Sequence, residues 1–364
     1  MQGRKHRFTV YKGKFMEDNV LKEDFISLAK RNIPFEELKD STFLVTGATG
    51  LIGSLLIKFL LFANQEINLN AKIYAVVRSV EKADRIFDGV KTDALQYLTA
   101  DLEKDEIKFD GNCDYMVHAA AVTASKMMVT DPVGTIFTAI DGTKKVLDLA
   151  VEKKTKSVVY ISSMEVYGQP KTEGKTNEED LGDVDISSVR SCYPEGKRMC
   201  ECLCTAYAAQ YGVNAKSARL AQTFGAGILP TESRVFAQFA RSAMNGTDIV
   251  LHTTGESEGN YVYTADALAA LLILLVKGEA GTAYNIANEE SHITIRGMAE
   301  MVAREIAGGS IKTVIDIPED SASLGYAPPV KMWLDASRMR ALGWEPEMNL
   351  SDSYRRMIRW MKGE

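Results

Sequence analysis

A tyrosine and a lysine four residues apart, Tyr193 and Lys197, open a predicted helix, and Ser163 ends a predicted strand upstream of them. Residues four apart lie on one face of a helix, so the lysine ammonium can sit beside the phenol. A nearby positive charge favours the phenolate, which predicts a Tyr193 pKa below its reference value of about 10. Such a tyrosine can exchange a proton with an alcohol while hydride leaves the carbon, and Ser163 would hold the same hydroxyl. Alone, the pair is a common surface pattern, so its meaning depends on the rest of the chain.

The segment Thr46–Gly53 carries three glycines between a predicted strand and a predicted helix. Gly47 permits a tight turn, Gly50 lets the backbone approach a pyrophosphate, and Gly53 lets the helix pack close to the sheet. The N-terminus of the helix then faces the phosphates with its unpaired N–H groups and positive dipole end. The spacing predicts dinucleotide binding, and a purely structural glycine turn is the alternative.

The second predicted strand ends at Arg78, where an NAD-selective protein usually carries an acid for the ribose 2′-hydroxyl. An arginine can instead pair with a 2′-phosphate, which favours NADP. A solvated arginine at the end of a strand is the alternative.

The elements that must position these residues alternate from residue 42 onward. Short apolar runs are separated by longer amphipathic stretches, which is typical of a parallel sheet with helices on both faces. The predicted strands cover 43–45, 72–77, 115–118 and 158–162, and the predicted helices include 54–62 and 133–151. The predicted fold class is α/β, a Rossmann-type doubly wound parallel sheet with a smaller C-terminal α/β substrate lobe.

Three units are predicted along the 364 residues. Residues 1–41 form an N-terminal helical extension, because apolar residues from Val20 onward are spaced like one face of a helix. Residues 42–222 form the NAD(P)-binding Rossmann domain. Residues 223–364 form mainly the substrate-binding lobe, with segments near 260–287 returning to the core.

Composition excludes several classes of protein. Hydrophobic residues make up 46% and charged residues 25%, as in globular rather than disordered chains. The formal net charge of −6 favours neither a nucleic-acid partner nor an anionic membrane surface. The longest apolar run, Ala267–Val276, is shorter than the about 20 residues of a membrane span and predicts a buried helix. No apolar leader follows Met1, so a cytoplasmic location is expected.

The five cysteines are typical of a reduced protein rather than of a disulfide framework. Three of them crowd into Cys200–Cys204, without the paired spacing or the nearby histidine of a zinc site. We therefore expect packed thiols and no metal. His118 follows a predicted strand and is expected to be a packed or hydrogen-bonded residue rather than a ligand or base.

From about Phe43 to Trp360 the chain resembles the extended short-chain dehydrogenases, the nucleotide-sugar epimerase/dehydratase family. The likeness rests on the order and spacing of short segments. After the glycine turn these are Asp101, His118–Ala121, Ser162–Gly168, Tyr193 with Lys197, Arg219–Gly225, Tyr261–Asp266 and Leu342–Pro346. The stretch Tyr193–Glu201 is especially similar to UDP-glucuronate decarboxylases, as is Arg234–Val235 in the substrate lobe.

The resemblance implies that Tyr193 takes a proton from the 4-hydroxyl of a nucleotide-diphosphate sugar. Lys197 and Ser163 would stand beside it, Glu165 would be an auxiliary carboxylate, and one NAD(P) per chain would take hydride to form a 4-keto sugar. The residues implied to bind the cofactor are Gly47, Thr49, Gly50, Leu51, Ile52, Arg78, Asp101, Leu102, Ala119, Ala120, Ala121, Ser162, Tyr193 and Lys197. The residues implied to bind the substrate are Thr123, Lys126, Gln222 and Arg234. The resemblance also implies a homodimer, formed through the Tyr193 helix and the helix before the Ser163 strand.

The chain departs from the family at substrate-side positions. Met164 replaces the aspartate of the acid pair that resembling 4,6-dehydratases use, while Glu165 keeps the second carboxylate and could act as a base at C5. Gln222 and Ala139 each replace an asparagine, and Gly259 replaces an arginine that pairs with the substrate diphosphate. We therefore favour a 4-epimerase slightly over a decarboxylase, and both over a 4,6-dehydratase.

Two other functions stay open. An NADP-dependent reductase of keto-sugars or other carbonyls is motivated by Arg78 and would consume added cofactor stoichiometrically. A nucleotide-binding protein without catalysis is motivated by Met164, Gln222 and Gly259. Such a binder has no need of a phenol held beside an ammonium, which argues against it.

Overall fold

A computed structural model describes residues 19–88, 90, 92–171, 173–318 and 330–364 of the chain. The first part of the predicted N-terminal extension, residues 1–18, lies outside the described residues. The strands of the described residues are β1 Thr42–Thr46, β2 Lys72–Val77, β3 Leu95–Thr99, β4 Tyr115–His118, β5 Ser157–Ser163, β6 Ala215–Leu220, β7 Gln222–Phe224, β8 Ile249–Leu251, β9 Glu258–Tyr263, β10 Ala283–Ile286, β11 Asn288–Thr294 and β12 Thr313–Ile315. The helices are α1 Asn19–Ala29, α2 Phe35–Leu38, α3 Leu51–Glu66, α4 Val80–Ile86, α5 Ser125–Thr130, α6 Pro132–Lys153, α7 Cys192–Tyr211, α8 Val235–Asn245, α9 Thr264–Lys277, α10 Ile295–Met301, α11 Ser337–Ala341 and α12 Leu350–Lys362.

Seven strands form one parallel sheet in the order β3–β2–β1–β4–β5–β6–β10. The chain runs outward from β1 to β3 on one side and from β4 to β10 on the other. Ligands of such doubly wound sheets bind at the carboxyl ends of the strands, where the order reverses between β1 and β4. The predicted fold class is confirmed, and the predicted strands at 72–77 and 115–118 match β2 and β4.

Both faces of the main sheet are buried, because side chains alternate along each strand. In β1, Phe43 and Val45 face an apolar cluster that includes residues of α1, α3 and α9. Leu44 points the other way, into a cluster that includes residues of α6 and α7. Helix α3 is longer than the predicted 54–62 because it begins directly after Gly50, inside the glycine turn.

The C-terminal part of the chain builds smaller sheets. Strand β9 pairs with β7 in parallel and with β11 antiparallel, and β8 pairs with β12. Helices α8, α10 and α12 contribute to a separate apolar cluster around Phe224, Phe236 and Tyr354. Strand β10 and helix α9 instead belong to the main sheet and its core. The domain boundaries given above stay a prediction.

The apolar spacing that predicted a helix in the N-terminal extension is confirmed by α1. Its buried face carries Val20, Leu21, Phe25 and Leu28. The run 267–276 lies within α9, whose residues from Thr264 to Leu275 are all buried. Across the described ranges, no helix combines the length and apolar character needed to cross a membrane.

All five cysteines are free thiols. Cys202 is exposed, whereas Cys113, Cys192, Cys200 and Cys204 are buried. The expectation of packed thiols therefore holds for four of them.

Candidate active site

The glycine turn lies at the carboxyl end of β1, against the residues that follow β4. Gly47 has a φ of +62°, a left-handed conformation that side chains rarely adopt. A Cβ on Gly47 would lie 2.6 Å from the carbonyl carbon and oxygen of Ala119, so only glycine fits there. A Cβ on Gly53 would lie 2.4 Å from the carbonyl oxygen of Gly47, so Gly53 lets α3 close onto the turn itself rather than onto the sheet.

Helix α3 points its N-terminus at this turn. Gly50 is its N-cap, donates its backbone N–H to the Gly47 carbonyl at 2.9 Å, and no described side chain caps the helix. Thr49, Leu51 and Ile52 are half-buried around this end. The first N–H groups of a helix lack intrahelical acceptors and carry the positive end of the helix dipole. An uncapped helix end beside a turn without side chains fits a pyrophosphate, as predicted for a dinucleotide.

His118 holds the ends of β1 and β4 together. Its Nδ1 lies 2.6 Å from the Thr46 hydroxyl, which also accepts from the backbone N–H of Ala120 at 3.3 Å. Nε2 of the same ring lies 3.2 Å from the Thr143 hydroxyl, so both ring nitrogens have hydrogen-bond partners. Burial lowers the pKa of His118 to about 3, so the ring is neutral. The expected packed, hydrogen-bonded role is confirmed.

Lys197 is fixed beneath the tyrosine in the first turns of α7. It is buried, and its Nζ donates to the backbone carbonyl oxygen of Ile161 in β5 at 2.7 Å. The same Nζ lies 5.7 Å from the ring centroid of Tyr193. Burial lowers the pKa of Lys197 to about 8.

Ser163 and Tyr193 meet through their hydroxyls, which form a hydrogen bond. The Ser163 hydroxyl also accepts from the backbone N–H of Glu165 at 3.2 Å, which starts the short 3₁₀ turn Met164–Tyr167. Tyr193 and Lys197 line one small cavity with Ala121, which follows β4. The structure therefore brings the tyrosine, the lysine and a residue predicted to bind the dinucleotide to one place.

The protein groups alone do not lower the Tyr193 pKa; the predicted lowering also depended on the positive ring of a bound nicotinamide. Burial raises the pKa of Tyr193 to about 12, and the negative charge of Glu165 adds to the rise. The hydrogen bond from Ser163 and the charges of Arg190 and Arg234 pull it down by less. The effect of burial on the Tyr193 pKa therefore outweighs that of the neighbouring cations. The four-residue spacing could not indicate how deeply the tyrosine is buried.

Arg190 is a functional candidate that sequence reasoning missed. Its Nη2 donates to both carboxylate oxygens of Glu165, and its guanidinium carbon lies 5.6 Å from the Tyr193 ring centroid. Nη1 of the same guanidinium is buried and meets no hydrogen-bond acceptor among the described residues. The sequence signal that could have found Arg190 is its position three residues before Tyr193, because one helical turn places such residues side by side.

Ser162 points away from Ser163 and into a buried polar network. Its hydroxyl donates to the carboxylate of Glu201 on α7. The same carboxylate accepts from Arg219 of β6, with Nη2 at 2.7 Å and Nε at 3.0 Å. This pair is buried, so it joins the helix of Tyr193 to the sheet.

The predicted substrate residues are not among those that line the cavity of Tyr193 and Lys197. Thr123 and Lys126 are exposed, and Gln222 is half-buried in β7 opposite Tyr261. Arg234 forms an ion pair with Glu232 at 2.7 Å, and its charge lies close enough to lower the Tyr193 pKa.

The predicted adenosine-side residues lie at the other edge of the sheet. Arg78 directly follows β2 and is exposed, with no ion pair to any residue that the structure describes. Asp101 and Leu102 follow β3, and Leu102 is buried near Gly142 of α6.

Two positions at which the sequence departs from the resembling family adjoin each other. The Met164 Cε lies 3.5 Å from where a Cβ on Gly259 would be, and the Met332 carbonyl oxygen lies 3.8 Å from it. Met164, at the position of the family's aspartate, and Gly259, at the position of its arginine, therefore lie on one patch, and the Met164 thioether occupies it.

A family model described as the NAD dependent epimerase/dehydratase family matches residues 43–287. UDP-glucuronic acid decarboxylase 6 of Arabidopsis thaliana is 30% identical over 317 residues, which cover 85% of this chain and 85% of that protein. The solved UDP-glucose 4-epimerase of Thermotoga maritima with UDP-glucose aligns with a TM-score of 0.72 at 22% identity, over 88% of this chain and 98% of that one. A UDP-glucuronic acid 4-epimerase of Bacillus cereus in complex with UDP-glucuronic acid and NAD aligns with a TM-score of 0.71 at 20% identity, over 88% and 99%.

Proposed function

The chain belongs to the NAD dependent epimerase/dehydratase family, and from that premise we propose that it oxidises C4 of a nucleotide-diphosphate sugar and then returns the hydride to the same sugar. The observation that carries this proposal is the grouping around Tyr193. Ser163 hydrogen-bonds its hydroxyl, and Lys197 lies beneath its ring and lines the same cavity. A phenol so placed can take a proton from a substrate hydroxyl and give it back.

The residues present fit a nicotinamide dinucleotide, because the side-chain-free turn at Gly47 and the uncapped end of α3 accommodate a pyrophosphate. When bound, this cofactor would supply the hydride chemistry at C4. Ser163 would orient the 4-hydroxyl, and Lys197 would stabilise the Tyr193 phenolate by its charge. Arg78 supports NADP over NAD, because its exposed guanidinium has no ion-pair partner among the described residues and stands where a 2′-phosphate would lie.

For the sugar, we propose a hexuronic acid linked to UDP. Arg190 supports this choice, because the buried Nη1 lacks an acceptor that a sugar carboxylate would supply. The decarboxylase that is 30% identical is named for UDP-glucuronic acid. Oxidation at C4 would convert such a sugar into a β-keto acid.

Decarboxylation is then the reaction that we place first. Cleavage of the C5–C6 bond would release carbon dioxide, and the electron pair of that bond would form the enolate of the C4 ketone. The proton that C5 takes up would come from water, and Glu165, held beside Tyr193 by Arg190, is the candidate to position that water before hydride returns to C4. The product would be a UDP-pentose.

Epimerisation at C4 is the second candidate, and Met164 supports it. A thioether at this position cannot donate a proton to a leaving group, and epimerisation needs no leaving group. The 4-keto sugar would only have to turn over in the site before hydride returns.

The experiment is proton NMR of the purified protein with UDP-glucuronic acid, UDP-glucose and a catalytic amount of NAD(P)⁺. We expect many turnovers per cofactor, with a pentose spectrum for decarboxylation or an inverted C4 signal for epimerisation. The Tyr193→Phe variant serves as control and should lose turnover while still binding the dinucleotide. Turnover of a keto-sugar only with stoichiometric NADPH would instead establish the reductase alternative.

We also propose a homodimer formed through α6 and α7. The large apolar side chains that these helices expose in the single chain include Val133 at 62%, Phe137 at 56% and Met199 at 48%. Exposed apolar residues on neighbouring helices are typical of a face that a partner covers. Light scattering should give twice the mass of the chain, and a monomeric mass would contradict the proposal.

A further inference from the structure

Helix α1 lies outside the family-matched region and joins two parts of the molecule. The Phe25 ring packs against Phe59 and Phe62 of α3, with centroids 5.7 and 5.6 Å apart. The helix also contacts α9 of the core and α12 of the C-terminal part. Residues 19–38, here called the N-terminal bracket, therefore span from the dinucleotide side to the C-terminal cluster.

One carboxylate of the bracket, that of Asp24, bonds to strand β9 and to helix α12. Asp24 is 5% exposed, and its Oδ2 accepts from the Tyr263 hydroxyl at 2.6 Å. Its Oδ1 accepts from Nε of Arg356 on α12 at 2.7 Å. Burial raises the pKa of Asp24 to about 6, against the opposing pull of Tyr263 and Arg356, so the group is a carboxylate at neutral pH.

Arg31 makes a second tie of the same kind. Its Nη1 donates to Oδ1 of Asp266, the third residue of α9, at 2.6 Å, and both side chains are buried. Asp266 also accepts the backbone N–H groups of Glu347 and Met348, each at 3.1 Å. The bracket thus fixes the start of α9 to the segment that leads into α12.

The Tyr263 side chain connects Asp24 to the turn 225–228, which follows β7. Its hydroxyl accepts from the backbone N–H of Ala226 at 3.4 Å, and a Cβ on Gly225 would lie 2.4 Å from its ring. Trp360 of α12 donates to the carbonyl oxygen of Ile228 at 3.1 Å. The turn 225–228 is therefore held from both ends, and it connects β7, which carries Gln222, to the segment with Arg234.

We propose that the bracket sets the position of turn 225–228, and that Asp24 is a positioning residue for the nucleotide-sugar rather than for the dinucleotide. This proposal rests on the proposed function for the identity of the ligand. Asp24 acts through Tyr263 and reaches no reacting atom. Loss of Asp24 leaves the glycine turn and α3 unchanged and loosens the substrate side alone.

The test is the Asp24→Ala variant of the full chain, assayed with UDP-glucuronic acid and loaded with NAD(P)⁺. We expect KM for the sugar nucleotide to rise about tenfold, with kcat and the dinucleotide Kd within about twofold of the parent. Tyr263→Phe, which removes only the hydroxyl, should act in the same direction and covers the case in which Asp24→Ala does not fold. Lys22→Gln is the matched control, because Lys22 is exposed on the same helix and lies away from the contacts of Asp24.

Hydrogen exchange of the turn 225–228 gives a readout that does not depend on the substrate. Exchange should quicken in Asp24→Ala and Tyr263→Phe and stay unchanged in Lys22→Gln. If the parent protein does not act on UDP-glucuronic acid but this pattern holds, the proposed function fails and the bracket stands. Unchanged exchange in both variants, or an equal loss of dinucleotide and sugar-nucleotide affinity, would overturn the proposal that the bracket positions the turn 225–228.

Discussion

Arg190 donates from one guanidinium nitrogen to both carboxylate oxygens of Glu165, at 3.1 Å and 2.8 Å. Nη2 thus pairs with the Glu165 carboxylate, whereas Nη1 of the same guanidinium, which lies near Tyr193, is buried without an acceptor among the described residues. A buried donor of a charged group without an acceptor is costly, so a substrate oxygen gains affinity by satisfying it. The pair links the one retained family carboxylate to the choice of substrate.

Replacing Arg190 tests the hexuronic acid directly. In Arg190→Met we expect KM for UDP-glucuronic acid to rise about ten- to hundredfold, because a hydrogen bond to a charged group is lost. The Kd for UDP alone should stay within about twofold, because the proposed partner of Arg190 is the carboxylate of the sugar. Equal losses for UDP and for UDP-glucuronic acid would assign Arg190 a structural role instead.

Titration of Tyr193 tests the electrostatics of the site. The protein groups raise its pKa to about 12, and the positive nicotinamide ring of the oxidised cofactor favours the phenolate. The sign is therefore downward: tyrosinate absorbance should develop at lower pH once NAD(P)⁺ is added. The difference spectrum against Tyr193→Phe isolates this residue from the other tyrosines. A midpoint that stays at the same pH with and without the cofactor would contradict the proposed pairing of ring and phenol.

Much of the fold follows from local patterns in the sequence. Two features depend only on near neighbours along the chain, so both could be predicted. They are the glycine turn from Gly47 to Gly53 and the strand that includes Phe43, Leu44 and Val45. The lysine could likewise be placed near Tyr193, because helix geometry alone brings them to one face.

The remainder depends on contacts between residues distant in sequence. The direction of the Tyr193 pKa follows from how deeply several elements bury it, which spacing does not give. The pairing of Arg190 with Glu165 depends on how the segment before α7 lies over the end of β5. The contact of Met164 with the Gly259 position also requires the fold, since Met164 lies in the 3₁₀ turn after β5 and Gly259 lies in β9.

Replacing Arg78 tests the proposed preference for NADP over NAD. Arg78→Ala should raise the Kd for NADP about tenfold, because an arginine–phosphate contact is removed, and should leave the Kd for NAD unchanged. Arg85→Ala on α4 removes a positive charge from the same region and should change neither constant. Calorimetric titration with both dinucleotides provides the measurement, and equal changes for NAD and NADP would refute the role of Arg78.

The glycine turn should tolerate no side chain at Gly47. In Gly47→Ala, a left-handed backbone costs about 1–2 kcal/mol, and the new Cβ would meet the backbone of Ala119 at 2.6 Å. We expect a lower melting temperature and loss of dinucleotide binding, followed by calorimetry and by protein fluorescence. Gly174→Ala is the control, because no atom lies within 4 Å of the added Cβ. Normal dinucleotide affinity in Gly47→Ala would show that the turn is only structural.

The central claim is that hydride leaves C4 of the sugar and returns to it within one site. The direct measurement is mass and NMR analysis of the product formed from UDP-[4-²H]glucuronic acid with a catalytic amount of NAD(P)⁺. We expect a product, pentose or C4 epimer, that keeps deuterium at C4 through many turnovers, and no product from Tyr193→Phe. Deuterium accumulating in the free cofactor pool, or product formed by Tyr193→Phe at the parent rate, would contradict it.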